Sequence, residues 1–222
     1  MAEGRNAPLR TAVVTGGHGF DVIGLHRLMR RFPEMDVYVQ HMDDFAVSPL
    51  QVRQSYDVII FFQMLREGPS DEQQPWYAGK PRSALEALGQ SPQGILVLHH
   101  GVLAYPQWSW WDELVGITGR TAEAHLDQQF RVQIVDREHP VTRPLSDWEM
   151  TDETYTMPEP GPGCHALLSV QHPTSMHTLA WTHVFGQSRV LCCQLGHGGL
   201  AWENYHFREL LRRSILWCGR RL

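Results

Sequence analysis

The sequence is poor in cysteine and has no long hydrophobic run, and each absence excludes a class of protein. Its 222 residues include four cysteines, two of them adjacent (Cys192 and Cys193), with no CxxC pair. This pattern indicates neither a disulfide framework nor a zinc finger. The apolar run at residues 58–62 stops after five residues, far below the ~20 that span a bilayer. With no signal-peptide pattern at the N-terminus, we expect a cytoplasmic protein without membrane contact.

The sequence also contains fewer basic than acidic residues. Lysine and arginine number 19 against 24 acidic residues, which gives a net charge of −5. The basic residues form no stripe outside the C-terminal arginines, so nucleic acid is not an expected partner. Histidine, by contrast, is abundant at 13 residues, and tryptophan reaches eight. Because imidazole titrates near neutral pH and binds metals, the histidines are the first candidates for chemistry.

Short apolar runs alternate with helical patterns in the first half, which is typical of βαβ units. Strands are predicted at residues 11–15, 36–39, 56–62, 95–98, 130–135 and 190–195. Helices are predicted from residue 22 and at residues 83–88, 108–115 and 203–217, whereas 158–163 (PEPGPG) excludes regular structure. The length fits a single domain over residues 1–222, with residues 1–10 expected to be a flexible N-terminus.

Three of the predicted strands lead into glycine and histidine. His18, His99 and His197 each follow a strand and lie next to or near a glycine. Ligands of open parallel sheets bind beyond the carboxyl ends of the strands, so we expect these imidazoles to meet at one rim. His100 would point to the opposite side of an extended chain, and a structural role is expected for it.

Several segments together resemble the ThuA-like (trehalose utilisation) family. They are VVTGGHGFD (13–21), GILVLHHG (94–101), His125, HPVT (139–142), DETY (152–155), AWTHVFGQSRVLCCQLGHGGLAW (180–202) and FRELLRRSILW (207–217). The resemblance implies an α/β fold, a flavodoxin-like three-layer sandwich with a mostly parallel central sheet, of the class I glutamine amidotransferase type. It also implies an association with carbohydrate catabolism.

The sequence departs from the amidotransferases at the residues that carry their chemistry. His99 stands where the nucleophilic cysteine follows its strand, and Gly199 stands where a glutamate would follow the late histidine, here His197. Attack on glutamine needs a thiolate with a base beside it. Glutaminase activity is therefore not expected.

We assign His99 and His197 to proton transfer, with Glu153 as the carboxylate beside them. The alternative is that these histidines are hydrogen-bonded structural residues. The predicted substrate contacts are His18, in the GGHG turn at the start of a helix, with His125, Asp152 and Trp202. Trp202 is the aromatic side chain expected to face a sugar ring. Trp108 and Trp111 are assigned to the core.

No cofactor is firmly predicted, and a divalent metal remains an open alternative. Its ligands would be His99, His125 and His197, beside Glu153, although their spacing forms no chelate motif. The leading hypothesis is a carbohydrate-processing isomerase, lyase or hydrolase that acts on a small sugar, a disaccharide or a keto-sugar derivative. The competing hypotheses are a non-catalytic sugar-binding or regulatory module and a metal-dependent hydrolase. The aromatic content is compatible with a homodimer.

Overall fold

The computed structural model describes residues 7–222, in which nine strands form one sheet. The strands are β1 Leu9–Gly16, β2 Met35–His41, β3 Val58–Gln63, β4 Gly94–Leu98, β5 Glu123–Ile134, β6 Trp148–Thr156, β7 His165–Ser169, β8 Thr178–Phe185 and β9 Ser188–Cys193. The helices are α1 Val22–Met29, α2 Met42–Val47, α3 Leu50–Arg53, α4 Pro81–Glu86, α5 Ser109–Val115, α6 Gly199–Glu203 and α7 Tyr205–Cys218. A 3₁₀-helix, His99–Leu103, directly follows β4.

The sheet is mixed. Its order is β2-β1-β3-β4-β9-β8-β7-β5-β6. The four pairs from β2 to β9 are parallel, and the four from β9 to β6 are antiparallel. The prediction of a mostly parallel sheet is therefore wrong. Part of the reason is the connection between β8 and β9: two residues, 186–187, can join only antiparallel neighbours.

Helices cover both faces of the sheet. On one face, Val13 and Ile60 share a core cluster with residues of α1 and α7. On the other face, Val14 and Phe61 share a cluster with residues of α2, α4 and α5. Strands that are buried on both faces have continuous apolar sequences. For this reason β3 and β4 could be predicted from the sequence.

Other boundaries differ from the predictions. The strand predicted at 130–135 is the end of the longer β5, and β6, β7 and β8 were not predicted. Of the segment 1–10, residues 1–6 lie outside the described range, and Leu9 is already buried in β1. The C-terminal helix was predicted correctly as α7. Among residues 7–222, no helix combines the length and the apolar character needed to cross a bilayer.

Candidate active site

Histidines from separate strand ends meet at the carboxyl edge of the parallel strands. The ring centroids of His99 and His197 are 5.2 Å apart, and those of His18 and His197 are 6.1 Å apart. The predicted convergence of these three imidazoles is confirmed. His100 also belongs to the group, with its ring 3.8 Å from that of His18.

The backbone at His99 is unusual. Its φ of +48° lies in the left-handed region, which costs energy for a residue with a side chain and persists where the surroundings enforce it. The chain turns sharply there from β4 into the 3₁₀-helix. Gly101 allows this turn to pack closely, because a Cβ at that position would collide with the carbonyl oxygen of Phe61.

Arg120 fixes the segment that follows. Its buried guanidinium donates hydrogen bonds to the carbonyl oxygens of Val102 (2.9 Å), Ala104 (2.6 Å) and Tyr105 (2.9 Å). Its Nε atom pairs with the carboxylate of Asp112 at 2.6 Å. The carbonyl groups at the end of a helix have no partner within the helix, and Arg120 supplies one for them. These bonds also hold the turn that carries the histidines.

The carboxylate of Glu153 lies at the centre of the cluster. Its Oε2 atom is 2.8 Å from Nδ1 of His197, 2.9 Å from Nε2 of His99 and 2.9 Å from the hydroxyl of Tyr155. The Tyr155 hydroxyl is also 2.7 Å from Nε2 of His99. Glu153 and Tyr155 are two positions apart in β6, so they share one face of the strand.

These contacts shift the acidities of the cluster. Burial raises the pKa of Glu153, but its close contacts with His197 and His99 outweigh burial and bring that pKa well below its usual range. The pKa of His197 is raised by its bond to Glu153, against burial. Burial, assisted by the neighbouring His99 and His18, lowers the pKa of His100 to about 2. Burial and the nearby His197 also lower the pKa of His18.

Asp152 supports the loop that carries His197. Its carboxylate accepts hydrogen bonds from the backbone N–H groups of Gly196 (2.6 Å) and His197 (3.1 Å). Burial raises its pKa, while the nearby His99 and these backbone bonds act in the opposite direction. The side chain proposed from the sequence as a substrate contact therefore holds backbone in place at the wall of the site.

A cavity of about 190 Å³ opens beside the cluster. It is lined by Leu126, Asp127, Asp152, Glu153, His197, Gly198, Gly199, Leu200 and Ala201. The His197 side chain is 34% exposed and faces this space. The volume of the cavity lies below the ~300–1,000 Å³ of pockets that bind drug-sized molecules, so the cavity suits a small polar ligand or part of a larger one.

A larger cavity, about 760 Å³, lies elsewhere, among residues that include Leu9, Pro33, Glu34, Leu216 and Arg220. Leu9 begins β1, so this cavity is at the amino end of the parallel strands. Chemistry in such sheets belongs to the carboxyl ends, where the histidines converge. We therefore place the candidate site at the smaller cavity.

Two predicted substrate contacts are not in this group. Trp202 is buried, its ring packs against Phe62, and its Nε1 atom donates to the carbonyl oxygen of Gly196 at 3.0 Å. The prediction that Trp202 faces a sugar is wrong, because the short helix α6 turns the indole into the core. His125 contacts Thr156 (3.3 Å) on the face of β6 opposite Glu153, so it lies outside the cluster and outside the ligand set predicted for a metal.

Sequence reasoning missed two members of the cluster. His100 was expected to point away, but a 3₁₀-helix begins at His99 and brings both rings to one side, with centroids 4.2 Å apart. Tyr155 belongs to the DETY segment, but no role was predicted for it. Its spacing from Glu153 would have revealed it had the strand β6 been recognised.

The fold defines a class of protein: an α/β protein with a large mixed sheet, similar in fold to ThuA-like proteins and to glutamine amidotransferases. A family model makes the assignment specific. The model of the ThuA family, whose description is trehalose utilisation, matches residues 14–218. The chain therefore belongs to the ThuA family. This supports a carbohydrate-related role at the level of the family.

Solved structures show the same fold at low identity. A ThuA-like protein from Parabacteroides merdae is 17% identical with a TM-score of 0.74, over 96% of this chain and 90% of that one. A glutamine amidotransferase from Thermotoga maritima is 10% identical with a TM-score of 0.51, over 95% and 98%. A β-galactosidase from Rahnella sp. R3 is 14% identical with a TM-score of 0.61, over 95% and 31%. Comparison with curated proteins gave no match.

Proposed function

We propose that this protein is an enzyme of carbohydrate catabolism that moves a proton of a small sugar substrate through the imidazoles of the cluster. The observation that carries the proposal is the position of His197. It lies on the wall of the cavity, with Nδ1 held by the carboxylate of Glu153 at 2.8 Å. A carboxylate in this position accepts a hydrogen bond from Nδ1–H, which leaves Nε2 as the basic nitrogen of the neutral ring.

The histidines of the cluster differ in their access to a ligand. His99 is fully buried and both of its ring nitrogens have hydrogen-bond partners. It therefore serves to position Glu153, together with Tyr155. His197 and the exposed His18 are the imidazoles open to a ligand. These two side chains are the candidates for direct contact with the substrate.

The proposed substrate is a keto derivative of a small sugar or disaccharide. A base beside its carbonyl removes a proton from the adjacent carbon, and the electron pair of that C–H bond forms an enolate. Return of the proton to the former carbonyl carbon, with a proton passing from the adjacent hydroxyl to the former carbonyl oxygen, gives isomerisation. In elimination the enolate pair instead forms a C=C bond, and the glycosidic oxygen leaves with the electrons of its own C–O bond and takes up a proton. No thiolate takes part, because His99 occupies the elbow at which an amidotransferase carries cysteine.

The test is solvent proton exchange. The protein is incubated in D₂O with disaccharides and their keto derivatives, and deuterium incorporation and products are followed by NMR and mass spectrometry. We expect exchange that falls by about 10²–10⁴-fold in His197→Gln. His165→Gln is the matched control, because His165 also lies 2.8 Å from a carboxylate, that of Asp136, at an exposed position.

The outcomes separate the two leading hypotheses. Exchange by the parent protein and by His165→Gln, but not by His197→Gln, supports the enzyme. Sugar binding without exchange contradicts it and favours a non-catalytic binding module. That alternative draws support from His99, which is fully buried and cannot contact a sugar directly.

A further inference from the structure

We propose that the cluster binds a divalent transition-metal ion through His99, His100, Glu153 and His197. One ligand atom from each of these side chains lies within 4.8 Å of the other three. Three imidazole nitrogens and one carboxylate oxygen form a donor set for ions such as Zn²⁺, Mn²⁺, Fe²⁺ or Co²⁺. The inference rests on the proposed function for the use of the site and adds a cofactor to it.

The tautomer of His99 suits a metal ligand. Its Nδ1 atom lies 2.5 Å from the carbonyl oxygen of Gln194. A carbonyl oxygen only accepts, so Nδ1 carries the proton and, in the neutral ring, the lone pair lies on Nε2. A bond from the outer nitrogen to a backbone carbonyl is the usual support of a metal-binding histidine.

Too few protons are available for the contacts between Glu153, His99 and Tyr155. The lone pair on Nε2 of His99 faces Oε2 of Glu153 at 2.9 Å, and two acceptors at that distance repel unless a proton or a cation lies between them. The Tyr155 hydroxyl is within reach of both atoms but has one hydrogen to donate. A cation bound by Nε2 and Oε2 removes this conflict.

The ring of His100 lies in the cluster without a hydrogen-bond partner in the described part of the chain. His100 is buried, with 3% exposure, and among residues 7–222 its ring makes no hydrogen bond. Its nearest carboxylate contact is Nε2 to Oε2 of Glu153, at 3.7 Å. Buried polar groups are normally satisfied. A metal ion at the centre of the cluster gives this nitrogen a partner and explains why a second histidine follows His99.

The site also leaves room for a substrate. Glu153 and His197 line the 190 Å³ cavity, so an ion bound to them lies at its wall and can polarise a sugar carbonyl. When His197 is a ligand, His18 is the imidazole that exchanges the proton. His18 is outside the ligand set, and its ring centroid lies 3.8 Å from that of His100.

The experiment uses untagged protein that is stripped with a chelator and then titrated with Zn²⁺, Mn²⁺ or Co²⁺. Metal content is measured by mass spectrometry, and Co²⁺ binding by its visible spectrum. We expect one ion per chain, and His100→Gln is expected to lower the affinity by at least 10-fold. His125→Gln and His165→Gln are the controls and should bind as the parent protein does. Glu153→Gln replaces His100→Gln if that variant does not fold.

Failure to bind any of the three ions, or equal binding by the parent protein and the ligand variants, overturns the inference. The metal and the proposed function fail separately. Proton exchange on a keto sugar by the stripped protein preserves the function and removes the metal from the reaction. Stoichiometric metal without exchange on any sugar preserves the metal site and removes the function.

Discussion

Asp152 and Gly196 are joined by a hydrogen bond of 2.6 Å from the Gly196 N–H to Oδ2 of Asp152. The bond ties the end of β9 to β6. Gly196 has a φ of +114°, which a residue with a side chain rarely adopts. Together, these features turn the chain so that His197 reaches the carboxylate of Glu153.

Asp152→Asn tests this anchor. The amide has one acceptor oxygen and cannot serve both N–H groups, so we expect the free energy of unfolding to fall by about 1–3 kcal/mol. Asp57→Asn is the control, since Asp57 also accepts a backbone N–H, that of Arg10 at 2.8 Å, but at an exposed position where water can replace the bond. Urea denaturation measures both, and equal losses would contradict the anchoring role.

Arg120→Ala tests the support of the 3₁₀-helix. The substitution leaves buried carbonyl groups and the Asp112 carboxylate without their partner, and a loss of about 3–5 kcal/mol is expected. Arg82→Ala breaks an exposed pair with Glu86 and should cost at most about 1 kcal/mol. If both variants show the same urea midpoint as the parent protein, the role assigned to Arg120 is wrong.

Trp202→Phe tests the correction from sugar contact to core. Phenylalanine keeps much of the apolar bulk but loses the bond to the carbonyl oxygen of Gly196, so we expect a loss of about 0.5–1.5 kcal/mol. Trp76→Phe, at a side chain that is 91% exposed, should leave stability unchanged. A Trp202→Phe protein of undiminished stability that has lost sugar binding would restore the original prediction.

His183 should make stability depend on pH. Burial lowers its pKa, although its bond to the carbonyl oxygen of Leu114 opposes the shift. The unfolded chain then binds a proton near pH 6.5 that the folded protein excludes. The contribution of His183 to stability is therefore fully present above pH 6.5 and is lost as the pH falls toward the folded pKa.

The measurement is urea denaturation between pH 7.5 and pH 5. His183→Gln should flatten the decline in the free energy of unfolding over this range. His177→Gln is the matched control, because His177 makes a bond of the same 2.9 Å length to a backbone carbonyl, that of Val170, at an exposed position. A flatter profile in both variants, or in neither, would show that burial of His183 is not the cause.

The sequence predicted the convergence of His18, His99 and His197 because parallel strands place their carboxyl ends at one edge. It could not predict the side on which His100 lies. That depends on the turn at His99, whose positive φ is imposed by tertiary packing, including the close approach of Gly101 to β3. The local pattern of apolar residues predicts the strand, but it does not predict the direction that the chain takes after the strand.

The antiparallel half of the sheet was harder to predict for a different reason. The strand β6 contains the polar segment TDET, so the apolar alternation that signals a strand is absent. Glu153 was selected through the family resemblance, and Tyr155 was missed. The two-residue link at 186–187 was a readable hairpin signal, and it would have corrected the prediction of a mostly parallel sheet.

A crystal structure with a bound keto disaccharide tests the central claim most directly. The account predicts the oxidised ring of the sugar in the 190 Å³ cavity and the second ring outside it, with the carbon next to the carbonyl facing the ring nitrogen of His197 or His18. A sugar bound instead in the 760 Å³ cavity between Leu9 and Arg220, without contact to any histidine of the cluster, would contradict it.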